Sequence, residues 1–280
     1  MYTKAELKQQ LQNAGLTGKE TILIHSSMKA IGEVESGADT VLDAWMEYFA
    51  DGLLLLPTHT WANVNAEHPV YDYRSTPSCV GLLTNLFRLR AGVVRSLHPT
   101  HSLAGFGKGA AEYLAGEDEN NTPCTPGGAY DRLKDCVGKI LLVGVGHERN
   151  TYIHSVEEVL NVPNRLAAEP MELLTILPDG SKKKVKLKVT VRPGKPVNFI
   201  VQKKGKKKAV FSWDPVAGAA GYEVAQADSQ KGKYTTIWQQ KKKTSVELKI
   251  SKDKYYKVRA WYKKDGELIY GAFSKAIKAS

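Results

Sequence analysis

The stretch GVGHERNTYIHSVEE, residues 144–158, sets two of the chain's seven histidines, two hydroxyl residues and three glutamates directly after an apolar run. His154 and Glu157 are three positions apart, which on a helix puts both on one face, near enough for the carboxylate to orient the imidazole. An imidazole held in this way is a usual general base, because its unperturbed pKa of about 6.5 lies near working pH. Asn150 or Thr151 is placed to start the helix, which leaves Gly144–His147 as a strand-to-helix turn with free backbone N–H groups. A solvated surface helix would show the same spacing, since H-x-x-E is short and common. His147 is the reserve candidate for the base.

The elements that must position this pair follow from hydrophobic period. TILIHSS, GLLLLPTHT, KILLVGVG and MELLTILPDG are short apolar runs of strand type, and GADTVLDAWMEYFA and SCVGLLTNLFRLR carry apolar residues at helical spacing. Strands interleaved with amphipathic helices predict a layered α/β/α domain around a central, largely buried sheet. Polar residues collect just past the strands, at HSS, PTHT and GVGH, where open α/β sheets bind ligands. The first residues form a polar helix with Thr3 and Glu6 spaced as a capping box and Gly15 as its stop, which is not the pattern of a signal peptide.

The net charge of +11 divides unevenly. Residues 1–180 carry 14 Lys and Arg against 22 Asp and Glu, a net of −8, whereas residues 181–280 carry 26 against 7, a net of +19. All histidines and all three cysteines, at 79, 124 and 136, lie before residue 155. The cysteines show no metal or redox spacing and their number is odd, so a reducing cytoplasm is the expected setting. No apolar stretch approaches the roughly 20 residues that span a bilayer. After the basic seam SKKKVKLKVTVRPGK, about seven short alternating runs in under 90 residues predict an all-β sandwich.

Five ordered blocks, ILIHSSMKAIG, LLLPTHTW, VYDYRSTP, GVVRSLHPTHSLAGFG and LLVGVGHERNTYIHSVEEVLNVPNR, together resemble the aminoglycoside 3-N-acetyltransferase (antibiotic N-acetyltransferase) family over residues 1–191. The resemblance implies an acetyl-CoA enzyme with its own α/β fold, in which His154 is the general base and Glu157 its partner. It implies that coenzyme A lies along Ser26, Ser27, Thr58, Thr60, Arg95, Ser102 and Gly146. The acceptor, an aminoglycoside or similar polyamine, calls for acidic contacts, for which Asp72 and Glu158 are the candidates, with His147 beside them. Transfer would be direct, with no cysteine nucleophile. His25, His59, His98 and His101 have no spacing of a zinc site and are expected to line the pocket or support it. AGEDENNTP, residues 115–123, reads as an acidic exposed loop.

FSWDPVAGAAGYEV, YYKVRAWY and GAFS resemble a bacterial fibronectin type III module over residues 192–280, with Trp213, Tyr222, Val224, Tyr256 and Val258 facing inward. The tyrosine usual near the start of its sixth strand is expected at Lys254. Relative to the family, residues 1–191 lack a C-terminal part, which predicts uncovered apolar surface and a homodimer. The rival to an active enzyme is a transferase-fold scaffold whose basic sandwich binds an anionic surface or partner. The lysine runs lack the aromatic interleaving that stacks bases, so nucleic acid is not an expected partner.

Overall fold

The computed structural model describes residues 1–162, 165–167, 169–189, 195–205, 207–216, 219–241, 243–251, 253–264 and 267–279. Two compact units divide the chain, Met1–Thr190 and Val191–Ser280. Pro193 and Gly194 of the expected seam lie outside the described residues.

In the first unit the order is α1 (Lys4–Asn13), β1 (Thr21–Ser26), α2 (Met28–Ile31), α3 (Ala38–Tyr48), β2 (Leu53–Pro57), β3 (Val70–Asp72), α4 (Leu82–Phe87), β4 (Val94–Arg95), β5 (Leu103–Gly107), α5 (Ala110–Tyr113), β6 (Lys139–Val143), α6 (Tyr152–Val159), β7 (Met171–Ile176) and β8 (Lys182–Leu187). α1 begins on a complete capping box between Thr3 and Glu6. The central sheet has strand order β4-β5-β2-β1-β6; β2, β1 and β6 run parallel, and β5 pairs antiparallel with β2 and β4. Apolar residues alternate between its two faces. Ile22 and Ile24 of β1 and Leu54 and Leu56 of β2 meet Leu7, Leu11, Val41, Trp45 and Phe87 of the helices on one side. Leu23, Leu53 and Leu55 meet Leu114, Tyr130 and Leu133 on the other. Strands apolar on both faces are stable only between two layers, which is the three-layer arrangement the sequence predicts.

Three expectations need correction. MELLTILPDG is a strand, but β7 joins β3 and β8 in a separate three-stranded sheet over Val64, Tyr71, Leu173 and Leu187. The lysine-rich start of the seam is also a strand. In KKKVKL every second residue is apolar at its end, so Val185 and Leu187 face inward while lysines face water, and β8 pairs antiparallel with β7. Thirdly, the acidic loop is not wholly exposed. Glu117 is buried and accepts hydrogen bonds from Ala129 N (2.7 Å) and Asn120 Nδ2 (2.8 Å), while Asp118 and Glu119 clasp Lys183 of β8.

The second unit contains β9 (Ile200–Lys204), β10 (Lys208–Ser212), β11 (Gly221–Ala227), β12 (Thr235–Lys241), β13 (Ser245–Lys249), β14 (Tyr255–Lys264), β15 (Glu267–Tyr270) and β16 (Ile277–Lys278). They form two antiparallel sheets, β13-β10-β9 and β12-β11-β14-β15, with β16 also pairing β14. One core joins them, containing Phe211 and Trp213 with Tyr222, Val224, Tyr256 and Val258. The Tyr256 hydroxyl accepts from Ser251 N at 3.1 Å and ties the start of β14 to the preceding turn. No helix among the described residues is long and apolar enough to cross a membrane.

Candidate active site

β1 and β6 are parallel neighbours, and their carboxyl ends, Ser26 and Val143, stand opposite each other. Beyond them the chain turns twice. Ser27 donates its N–H to Val143 O (3.0 Å), and its carbonyl accepts from Ala30 and Ile31 at the short helix α2. Gly144 follows β6 at φ +67°, and a Cβ there would collide with Ala30 Cβ, so only glycine permits this close approach. The two turns border a cavity of about 660 Å³ lined by His25, Ser26, Ser27, Lys29, His59, Trp61, Leu82, Gly144, Arg149 and Thr151, among others. That volume lies within the range of small-molecule sites.

A 3₁₀ turn at His147–Arg149 leads into α6, where Asn150 Oδ1 accepts from Tyr152 N (3.1 Å) at the helix start. One turn later His154 Nδ1 donates to Glu157 Oε2 at 2.8 Å. The same oxygen meets Arg165 Nη1 at 2.5 Å. His154 is 45% exposed and Glu157 33%, whereas Arg165 is only 8% exposed. With Nδ1 committed as a donor, Nε2 is the nitrogen left to take a proton.

Four more histidines cluster here, His25 and His59 in the cavity lining and His101 and His98 packed in turn beyond His59. His59 shares a hydrogen bond with the Tyr130 hydroxyl (2.5 Å) and packs on His101, and His98 bonds to Thr122 O (3.0 Å). Burial pushes His25 down to about 4. Burial, reinforced by the charges of His25 and His98, takes His59 to about 3. Burial likewise lowers His98 and takes His101 well below the ordinary value, so all four are neutral imidazoles at pH 7.

Of the residues expected at the site, Ser26 and Ser27 line the cavity, and His154 and Glu157 lie on the helix that follows its Thr151 wall. Gly146 sits in the connecting turn, its N–H donating to Glu148 Oε1 (3.3 Å), and Gly144 and Val145 form the lining instead. Thr58, Thr60, Arg95 and Ser102 do not face the cavity. Thr58 N continues the β2–β5 ladder onto Ser102 O, and the Thr58 and Ser102 hydroxyls contact each other at 3.0 Å. The buried Arg95 guanidinium donates to Thr58 O (2.9 Å), Thr76 O (2.7 Å) and Ser102 Oγ (3.2 Å). Thr60 donates to Pro99 O. A buried guanidinium must be saturated with acceptors, and these residues supply them.

The expected acceptor contacts are not gathered there either. Asp72 caps its own turn, accepting from Arg74 N (2.8 Å) and Ser75 N (2.9 Å). Glu158 accepts from Cys124 N (3.0 Å), and His147 is exposed on the 3₁₀ turn. Lys29, Arg149 and Arg165 are additions that only the fold reveals. No group of His, Cys, Asp and Glu among the described residues is arranged to hold a metal ion.

Residues 23–210 match the family model for aminoglycoside 3-N-acetyltransferase. The chain is 29% identical over 198 residues to aminoglycoside N(3)-acetyltransferase VII of Streptomyces paromomycinus, covering 64% of this chain and 68% of the relative. It is 30% identical over 182 residues to aminoglycoside N(3)-acetyltransferase IV of Salmonella sp, covering 64% and 66%. Among solved structures, a histidine-to-alanine mutant of aminoglycoside acetyltransferase AAC(3)-IVa in complex with a gentamicin superimposes with TM-score 0.58 at 28% identity, covering 68% of this chain and 71% of that one. The chain thus spans about two thirds of the length of the curated relatives it matches.

Proposed function

The chain belongs to the aminoglycoside 3-N-acetyltransferase family, and on that premise we propose that it moves the acetyl group of acetyl-CoA to an amine of an aminoglycoside-type polycation. The observation that carries this reading is the His154 Nδ1–Glu157 Oε2 hydrogen bond on the helix that leaves the cavity wall. Glu157 holds the proton on Nδ1, and His154 Nε2 removes one from the acceptor's ammonium or from the attacking amine. The amine nitrogen bonds to the acetyl carbon, the carbon–sulfur bond breaks, and the proton passes to the departing thiolate. Backbone N–H groups or a hydroxyl at the turns after β1 and β6 stabilise the tetrahedral oxyanion.

The cavity lining fits a coenzyme A thioester. Lys29 and Arg149 supply cations for phosphate, Ser26 and Ser27 hydroxyls for pantetheine amides, and Met28, Val80 and Leu83 an apolar wall. Thr58, Thr60, Arg95 and Ser102 support the loop behind it. Use of acetyl-CoA also supports a cytoplasmic setting. The first unit's net negative charge favours a polycationic acceptor. The second unit supports the fibronectin type III resemblance through its two sheets and the Tyr256 corner bond. Ile153, Val156, Val159 and Leu160 form an exposed apolar stripe on α6 and its end, which favours a homodimer.

Acetyl-CoA binding followed by thiol release with a panel that includes gentamicin tests the activity. Release that depends on the aminoglycoside is expected. Binding with no release would favour the scaffold reading, in which the transferase fold survives without turnover and the lysine-rich second unit contacts an anionic surface.

A further inference from the structure

Arg165 reaches the His154–Glu157 pair from the segment after α6, which Ala167 N anchors to Val189 O at 2.9 Å. One carboxylate oxygen, Glu157 Oε2, forms an ion pair with Arg165 Nη1 at 2.5 Å and accepts the His154 Nδ1 hydrogen bond at 2.8 Å. A carboxylate one third exposed has rotamer freedom to lose, and it cannot rotate here without breaking both contacts. Held in place, Glu157 Oε2 keeps the ring proton on Nδ1 and leaves Nε2 free.

The setting of Arg165 is unlike that of a purely structural ion pair. Its side chain is 8% exposed, yet Nε and Nη2 find no protein acceptor among the described residues. Leaving buried donors unpaired lowers stability, and such placements call for an explanation beyond packing. Burial holds His59 and His101 neutral. Arg165 is the cation paired with Glu157 among the described residues.

We propose that Arg165 is a positioning residue that fixes Glu157, and through it the Nδ1–H tautomer of His154. The proposal rests on the reading of His154 as the base. Its test separates the two. In ¹⁵N-labelled protein the His154 ring shows a single Nδ1–H tautomer; Arg165→Gln gives a mixture, and Arg165→Lys retains the single form. In the transfer assay Arg165→Gln lowers kcat about 10- to 100-fold, the range for partners that orient a functional imidazole, and leaves the acetyl-CoA KM unchanged. Added to Glu157→Gln, it costs nothing further. An unchanged tautomer and turnover, or losses that add in the double variant, would overturn the proposal. Arg165→Met, which removes the unpaired donors too, answers the same question if the Gln variant does not fold. Should no form of the protein transfer acetyl groups, the proposed activity fails while the ring tautomer still decides the role of Arg165.

Discussion

At the scale of single residues, base catalysis depends on which nitrogen of His154 carries a proton. Replacing Glu157 by Gln removes the anionic acceptor and permits the wrong tautomer, so turnover should fall by about 10²–10⁴, the usual range for acid–base assistance. Steady-state kinetics with saturating acetyl-CoA checks this, and a loss under threefold would detach Glu157 from the chemistry. The pair was legible because both partners sit within one helical turn. Arg165 was not, because its contact with Glu157 arises after the chain has left the helix. Thr58, Arg95 and Ser102 illustrate the reverse error. Residue type marks them as hydrogen-bonding groups, but only the β2–β5 ladder shows that they are spent on one another.

At the scale of elements, apolar period placed the parallel strands and the helices over them, since a buried strand leaves a continuous apolar run. β4 and β5 do not stand out in the sequence, because LAGFG has too few large residues. β8 reads as a linker because its lysines mask a two-residue alternation. Two predictions belong here. Gly144→Ala forces a left-handed residue into contact with Ala30, at a cost of about 2 kcal/mol or more. That should lower the thermal midpoint by roughly 4–8 °C by calorimetry; an unchanged midpoint would show that the turn after β6 relaxes freely. Glu20, before β1, accepts from Thr17 N (2.9 Å) and pairs with Lys139 (3.0 Å); against burial, these bonds hold its carboxyl down to about 2. A depressed carboxyl stabilises the fold above its unfolded value near 4.3, and this is lost as pH falls toward 2. Glu20→Gln should thus melt lower than wild type at pH 7 and equally at pH 2.

At the scale of the whole molecule, the change of charge and of strand period marks two pieces, and the chain falls into two compact units, Met1–Thr190 and Val191–Ser280. Their acid responses should differ. His25 and His59 stay neutral when folded but take protons when unfolded below about 6.5, so they stabilise the first unit above that pH and this is lost as pH falls toward 4 and 3. The second unit has no histidine. Calorimetry between pH 7 and 4 should show the first unit's transition falling more steeply, and parallel shifts would mean that the units unfold together. A homodimer through the α6 stripe should appear as twice the chain mass in light scattering, and a clean monomer would show that stripe to be covered otherwise. The central claim is base catalysis by His154, and one measurement reaches it most directly: acetyl transfer and acetyl-CoA affinity in His154→Ala beside the wild type. In His154→Ala, aminoglycoside-dependent thiol release should disappear while acetyl-CoA binds nearly as before; a variant with normal turnover would contradict base catalysis by His154.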